Sequence, residues 1–150
     1  MRTILVPIFR LVFFLDKITD NILNKELRIG LSQFRILMVL AKHPESSQRT
    51  IAEFWNITEA SANRQITNLS REKLITKKVN PRSKREHLLT LTSAGKEKID
   101  RAISLMDKLF EKKFKTVEAK DRKLLADLLQ NLLTSMEIDK KLFHNIKSNK

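Results

Sequence analysis

Residues 58–72, with the sequence TEASANRQITNLSRE, carry polar side chains whose chemistry suits the edges of nucleotide bases. Asparagine and glutamine can form two hydrogen bonds with adenine, arginine can do so with guanine, and serine or threonine can contact either base. Apolar residues at Ala62, Ile66 and Leu69 recur at helical spacing, so the segment is predicted to be a helix with one buried side. The outward positions are then Ser61, Asn63, Arg64, Thr67 and Asn68. Any surface helix also has a polar outer face, so this pattern needs support from its neighbours.

The residues just before this helix predict a second, shorter helix and a tight turn. Residues 46–55, SSQRTIAEFW, offer a serine N-cap and apolar side chains that can face inward. Asn56 stands where the turn is needed, because asparagine adopts left-handed backbone angles at modest cost. Thr58 is expected to cap the following helix, with Glu59 in its first turn, where a carboxylate suits the helix dipole. Two helices joined in this way form a helix-turn-helix motif.

A basic hairpin is predicted directly after the motif. Two short β-type runs, LITKKV at residues 74–79 and HLLTLT at residues 87–92, flank a cluster of basic side chains. Asn80 and Pro81 are expected to begin the turn between them. A hairpin in this place is typical of the winged form of the motif, so the basic segment is interpreted as a wing rather than a loose loop.

The composition favours a polyanionic partner. The chain has 150 residues, with 30 Lys and Arg against 17 Asp and Glu, which gives a formal net charge of +13. Such an excess points to nucleic acid before a membrane surface. The length predicts a single domain, residues 1–150, and the apolar fraction of 41% is typical of a folded protein.

Long helices are predicted toward both ends of the chain. With only two glycines and three prolines, the chain has few residues that break helices. Apolar residues from Leu11 to Ile22 form one helical stripe, with Pro7 expected in the first turn and the helix ending near Leu27. Ser32 is expected to cap the next helix, which is apolar almost all round and therefore central.

Two more long helices are predicted after the wing. Thr92 is expected to cap the first of them, and a break near residues 116–120 separates it from the last helix. The last helix carries apolar residues along one side, at Leu125, Leu129, Leu132, Met136 and Phe143. The predicted order is four helices, a hairpin and two long helices, which is a mainly α fold.

The sequence argues against catalysis. His43, His87 and His144 share no metal-ligand spacing, and neither HExxH nor CxxC occurs. The absence of cysteine removes disulfides, thiol nucleophiles and thiol redox sensing. Asp16 and Asp20 are one helical turn apart, which is common among solvated carboxylates. We therefore expect no enzyme activity, no metal and no cofactor.

The N-terminal run ILVPIFRLVFFL has the apolar character of a signal peptide. Arg10 interrupts this run, however, and no small-residue cleavage site follows it. The run is also too short to span a bilayer. We therefore expect a cytoplasmic protein without a membrane partner.

The segments described above resemble the MarR (multiple-antibiotic-resistance-regulator) family of bacterial winged helix-turn-helix transcription regulators. SQRTIAEFWNIT resembles its small helix and turn, ITEASANRQITNLSREKLITK its recognition helix and first wing strand, and NPRSKREHLLTLTSAG its wing and LTxxG stretch. The motifs cover residues 31–96, and the helical order extends the resemblance over nearly the whole chain. It implies a winged helix-turn-helix core at about residues 31–92 with a two-stranded β wing, and long dimerisation helices at residues 1–28 and 93–146.

The resemblance also implies which residues contact DNA. Phosphate or backbone contacts are expected from Ser47, Gln48, Thr58 and Asn68, base contacts from Ser61, Asn63 and Arg64, and minor-groove contacts from Arg82, Lys84 and Arg85. For Arg85 the alternative is a salt bridge to Glu86 or Glu72. Lys77 and Lys78 are expected to be solubilising charges.

Some positions depart from the family pattern. Asn80 and Ser83 stand where the wing often carries acidic residues, and Asn56 replaces a turn glycine. Gln65 occupies a position of the recognition helix that is usually apolar. Because the wing lacks carboxylates that would hold its arginines, we expect it to be mobile when free and to become ordered on DNA.

The expected function is that of a transcription regulator, in the first instance a repressor. The resemblance implies a homodimer that binds double-stranded DNA at a pseudo-palindrome with half-sites about one helical turn apart. Members of the family commonly release DNA when a small molecule enters the cleft between the dimer helices and the winged domain, and the sequence does not identify such an effector. Two alternatives remain at this point: a winged-helix protein that binds nucleic acid regardless of sequence, and a protein-interaction module that kept the fold without binding DNA.

Overall fold

A computed structural model of the protein describes residues 2–81 and 83–135, without the side chains of Arg2, Lys84 and Arg85. The helices are α1 (Arg2–Leu27), α2 (Leu31–Lys42), α3 (Gln48–Trp55), α4 (Glu59–Arg71), α5 (Ser93–Lys113) and α6 (Ala119–Ser135). The strands are β1 (Ser46–Ser47), β2 (Ile75–Asn80) and β3 (Ser83–Leu91). The predicted mainly α fold, with a hairpin between the fourth helix and two long helices, is confirmed. The part of the predicted last helix beyond residue 135, which includes Met136 and Phe143, lies outside the described residues.

The core lies where α2 meets α1, α3, α4, α5 and the sheet. The largest fully buried side chains are Leu23, Ile29, Ile36, Leu37, Leu40, Ile51, Ile66, Leu69, Leu89 and Ile99. They come from α1, the α1–α2 connection, α2, α3, α4, β3 and α5, so a single core joins the two halves of the chain. Burial of each such side chain contributes about 1.5–3 kcal/mol. This core holds α3 and α4 against the rest of the molecule.

Local capping chemistry fixes the helix-turn-helix motif as the sequence predicts. The Ser47 hydroxyl accepts a hydrogen bond from the Thr50 backbone N–H at 3.1 Å, and α3 begins at Gln48. Asn56 ends α3 with left-handed angles of φ 49° and ψ 47°. Thr58 then accepts a hydrogen bond from the Ser61 backbone N–H at 3.2 Å and caps α4. The turn between the two helices is therefore short, and its ends are fixed by Asn56 and Thr58.

The hairpin is part of a small three-stranded antiparallel sheet in the order β1-β3-β2. The wing strands pair from Ile75 opposite Leu91 to Asn80 opposite Ser83, with an irregularity at the wing end. The two-residue strand β1 pairs with β3 and was not expected from the sequence. It joins the start of α3 to the base of the wing.

A close contact between α5 and the start of β2 explains the glycine of the LTxxG stretch. The Thr92 hydroxyl donates to the Lys73 carbonyl at 2.8 Å, and the Thr92 N–H donates to the Leu74 carbonyl at 3.0 Å. The same hydroxyl accepts from the Gly95 N–H and caps α5. A Cβ atom at Gly95 would overlap the Leu74 carbonyl oxygen. Gly95 therefore lets α5 approach the strand that begins the wing.

Two details at the start of the chain differ from the prediction. The first helix begins at Arg2, so Pro7 lies inside α1 rather than in its first turn. An internal proline removes one hydrogen bond, and the strongly apolar residues on both sides of it continue the helix. The second helix is capped at Gly30 rather than at Ser32, because the Gln33 side chain folds back to accept from the Gly30 N–H at 3.0 Å.

Apolar side chains remain exposed on both terminal helices. On α1 they are Ile4, Leu5, Val6, Phe9, Leu11, Val12, Phe13 and Phe14, and on α6 they are Leu124, Leu125, Leu128, Leu129, Leu132 and Leu133. Phe9 is 71% exposed and Leu124 57%. Among the described residues, no helix combines the length and the apolar character needed to cross a membrane.

Candidate nucleic-acid interface

The outer face of α4 presents the polar side chains that the sequence singled out. Ser61, Asn63 and Arg64 are exposed, one turn into the helix. Thr58 is also exposed, but its hydroxyl caps the helix. Asn68 is half-buried and accepts a hydrogen bond from Arg71 Nη2 at 2.5 Å. The first two turns of α4 therefore carry the side chains that are free to meet a ligand.

The side chains of Ser47 and Gln48, at the start of α3, already form hydrogen bonds within the protein. Ser47 is only 6% exposed, and its hydroxyl contacts the backbone N–H and the hydroxyl of Thr50. Gln48 Nε2 donates to the Glu59 carbonyl at 3.3 Å. Gln48 thus links the first turn of α3 to the first turn of α4. The groups that this region offers to an anion are mainly the backbone N–H groups at the start of α3.

A groove of about 550 Å³ lies between α3, α4 and the wing strands. Its lining residues are Ser47, Gln48, Arg49, Glu59, Asn63, Ile66, Lys77, Glu86, His87 and Leu89. The groove brings the predicted residues Ser47, Gln48 and Asn63 together on one concave surface. It also includes Arg49, Lys77 and His87, which sequence reasoning had not assigned to the site. The one available signal for Lys77 is the period of two along a strand, which puts Lys77 on the same face of β2 as Ile75.

Both signs of charge are present on this surface. Arg49 Nε donates to Glu53 Oε1 at 2.9 Å within α3. This hydrogen bond and the charge of Glu53 raise the pKa of Arg49, and the more distant carboxylates Glu59 and Glu86 act in the same direction. Arg49 is therefore a permanent cation beside the start of α4, and it shares the groove with two carboxylates, Glu59 and Glu86.

The turn of the wing, between β2 and β3, lies at Pro81. Asn80 Nδ2 donates to Glu86 Oε2 at 3.3 Å across the end of the hairpin. Arg82 and the side chains of Lys84 and Arg85 lie outside the described residues, so their minor-groove role stays a prediction. The expected mobility of the free wing stays a prediction as well.

The remaining titratable candidates have structural roles. Asp16 contacts Arg35, and Asp20 accepts from the Leu31 backbone N–H. Within the described part of the chain, no group of three His, Cys, Asp or Glu side chains could hold a metal ion.

The comparisons with known proteins agree with this geometry. The model of the MarR family matches residues 29–86, from the α1–α2 connection into the wing. The uncharacterised HTH-type transcriptional regulator YdgJ of Bacillus subtilis (strain 168) is 29% identical over 105 residues, 69% of this chain and 64% of that protein. The match thus spans a little under two thirds of YdgJ. The HTH-type transcriptional regulator BilQ of Clostridium symbiosum (strain WAL-14163) is 31% identical over 111 residues, 73% of this chain and 76% of that protein.

Solved structures share the fold over nearly the whole chain. A MarR transcriptional regulator from Methanosarcina mazei Go1 superimposes with a TM-score of 0.82 at 18% identity, covering 90% of this chain and 96% of that chain. MepR of S. aureus in complex with DNA superimposes with a TM-score of 0.73 at 21% identity, covering 87% and 96%. The family match, the similarity to BilQ and the winged helix-turn-helix geometry together show that the chain belongs to the MarR family of transcriptional regulators.

Proposed function

We propose that the protein is a repressor that binds a pseudo-palindromic operator in double-stranded DNA as a homodimer. The observation that carries this proposal is the exposed polar face of α4, with Ser61, Asn63 and Arg64 beside a concave surface that ends at a basic hairpin. A DNA partner implies a cytoplasmic location. Membership in a family of regulators agrees with the expectation that the protein is not an enzyme.

The reading role belongs to the first half of α4. An α-helix fits the major groove, and the helix-turn-helix motif places the N-terminal part of its second helix at the base edges. Asn63 is suited to adenine and Arg64 to guanine, while Ser61 can contact either base. Thr58 and Asn68 lie at the two ends of this face and are assigned to the DNA backbone.

Phosphate contacts are assigned to the elements on both sides of α4. The backbone N–H groups at Ser47 and Gln48 form the start of α3, where a phosphate is favoured by the helix dipole. On the other side, Arg82, Lys84 and Arg85 of the wing are assigned to the adjacent minor groove. Lys77 lines the groove and is assigned to a phosphate contact as well.

The homodimer is supported by the apolar surfaces of the terminal helices. Residues 4–14 of α1 are apolar around almost the whole helix, and α6 carries six exposed leucines. A helix that is apolar all round is normally buried, and patches of this size mark association surfaces. A two-fold dimer through α1 and α6 would place two copies of α4 on one side of the assembly.

Release by a small-molecule effector is the second part of the proposal. A small molecule can lower DNA affinity only if it binds better to a dimer whose reading helices have the wrong separation. An apolar groove of about 350 Å³ between α5 and α6 is lined by Phe110, Phe114, Leu125 and Leu129 among others. It adjoins the proposed dimer helices.

Selection from random double-stranded DNA tests the function. Enrichment of a pseudo-palindrome is the expected result. Recovery of DNA without any shared sequence would instead support an architectural protein, and no recovery at physiological salt would support a protein-interaction module. Each alternative outcome contradicts the repressor proposal.

A further inference from the structure

Arg35, in the first half of α2, contacts two other helices at once. Its Nη2 nitrogen donates to both carboxylate oxygens of Asp16 in α1, at 2.8 and 2.9 Å. Its guanidinium carbon lies 5.1 Å from the centroid of the Trp55 ring in α3. Trp55 Nε1 in turn donates to the Arg35 backbone carbonyl at 3.1 Å. These contacts join α1, α2 and α3, and we call Asp16, Arg35 and Trp55 the bracket.

The bracket is better suited to orient helices than to stabilise the fold. The side chains of Arg35 and Asp16 are 33% and 44% exposed, so solvent weakens their ion pair. The geometry is nevertheless restrictive. The planar guanidinium must lie over the indole ring and reach the carboxylate at the same time, which a lysine cannot do in the same way. Trp55 is held through both the side chain and the backbone of Arg35.

A chain of contacts leads from the bracket to the reading helix. Asp20, one turn after Asp16, accepts from the Leu31 N–H at 2.7 Å and fixes the start of α2 against α1. At the other end of α3, Gln48 donates to the Glu59 carbonyl at the start of α4. A change in the orientation of α1 can therefore change the orientation of α4, through the contacts of Arg35 with α3 and of α3 with α4.

We propose that Arg35 is a positioning residue for DNA recognition. It holds α3, and through it α4, at one angle to α1, and so sets the distance between the two reading helices of the dimer. This inference rests on the proposed homodimer through α1 and α6. Arg35 and Asp16 then determine which spacing between half-sites is bound, and α4 determines which bases are preferred.

Two variants each break a different contact of the bracket. Asp16→Asn removes the ion pair with little change in shape, and Arg35→Lys keeps the charge but loses the planar group over Trp55. Glu118→Gln is the matched control, because it also removes one negative charge. It breaks the 3.0 Å ion pair between Glu118 and Lys120, near the start of α6. Should Arg35→Lys not fold, Asp16→Asn carries the test alone, since it leaves Arg35 and Trp55 in place.

Fluorescence tests the bracket without DNA. Trp55 is the only tryptophan in the chain, so the emission comes from this residue alone and responds to its surroundings, which include Arg35 and the Phe54 ring. We expect Asp16→Asn to change the emission of Trp55, although Asp16 contacts the indole only through Arg35, and Glu118→Gln to leave it unchanged. Unchanged emission in Asp16→Asn would overturn the proposed transmission.

Selection from DNA with variable separation between half-sites tests the function of the bracket. The wild type and Glu118→Gln are expected to enrich one separation. Asp16→Asn and Arg35→Lys are expected to keep the half-site sequence but accept neighbouring separations, with affinity at the preferred one falling about fivefold or more. Variants with the wild-type spacing profile would overturn the role of Arg35 and leave the repressor proposal standing. If the wild type enriched no paired half-sites, the dimer mechanism would fail and this inference with it.

Discussion

At the scale of single residues, position on the proposed DNA-facing surface decides what a charge can do. Arg64 is exposed on the first turns of α4, whereas Glu59 lies in the groove beside Asn63 and Lys77. A cation at the base edges can select a sequence, but a carboxylate near phosphates opposes all DNA. The two residues should therefore respond differently to neutralisation.

Arg64→Ala is expected to weaken operator binding by about 1–3 kcal/mol and to relax the preference for guanine at one position of each half-site. Lys84→Ala, on the wing, should weaken all DNA about equally and lower the salt slope by about one. Titrations on operator and random DNA at several salt concentrations measure both effects. Arg101→Ala, an exposed position on α5, removes the same charge and is the control. Equal loss on both DNAs from Arg64→Ala would refute its reading role.

Glu59→Gln is expected to tighten binding to operator and random DNA alike, by roughly 0.5–1 kcal/mol, because it removes a negative charge from the proposed phosphate-facing surface. Titration of both DNAs against the wild type measures the change. Glu118→Gln changes the net charge equally at the start of α6 and should leave affinity nearly unchanged. Weaker binding by Glu59→Gln would mean that the carboxylate itself contacts a base.

At the scale of elements, the winged core depends on how closely α5 approaches the strand β2. Thr92 contacts both Lys73 and Leu74, and Gly95 leaves no room for a side chain beside Leu74. Since β2 begins at Ile75, this contact sets where the wing starts relative to α5.

Gly95→Ala is expected to destabilise the protein by about 1–3 kcal/mol, because the added methyl group overlaps a backbone carbonyl that cannot rotate away. Denaturant unfolding measures the free energy. Gly30→Ala is the matched control: a Cβ there would lie 3.6 Å from Asp20 Oδ1, an ordinary contact, and the φ of −84° suits alanine, so its cost is limited to the exchange of glycine for alanine at the N-cap of α2. Equal stability of the two variants would contradict the close packing at Gly95.

The same elements show what the sequence could predict. The caps at Ser47, Thr58 and Thr92 and the left-handed turn at Asn56 were predicted because they depend on neighbouring residues only. Strand β1 was missed because a two-residue strand exists through its distant partner, Leu88 and Leu89.

Contacts between distant residues also limited the prediction of the site. Nothing in the sequence around Asp16 and Asp20 indicates their partners on α2. Ser32 differs, because a local contact decides its case: the Gln33 side chain folds back to Gly30, which caps α2 instead. The exposed polar face of α4 could be predicted, because helical periodicity assigns Ser61, Asn63 and Arg64 to one exposed region. The groove that adds Arg49, Lys77 and His87 required the packing of α3 against the wing.

At the scale of the whole molecule, charge and apolar surface have separate tasks in the proposed mechanism. The net charge of +13 favours association with DNA, while exposed apolar side chains on α1 and α6 favour a second copy of the chain. Light scattering of the free protein at micromolar concentration is expected to give twice the mass of the 17.5 kDa chain. A monomer under these conditions would contradict the dimer.

Hydroxyl-radical footprinting of the wild-type protein on its selected operator tests the central claim most directly. Two reading helices in successive major grooves should protect two patches of equal strength, related by the symmetry of the site and centred about one helical turn apart. A single protected patch, or uniform protection along the duplex, would contradict a dimer that reads two half-sites.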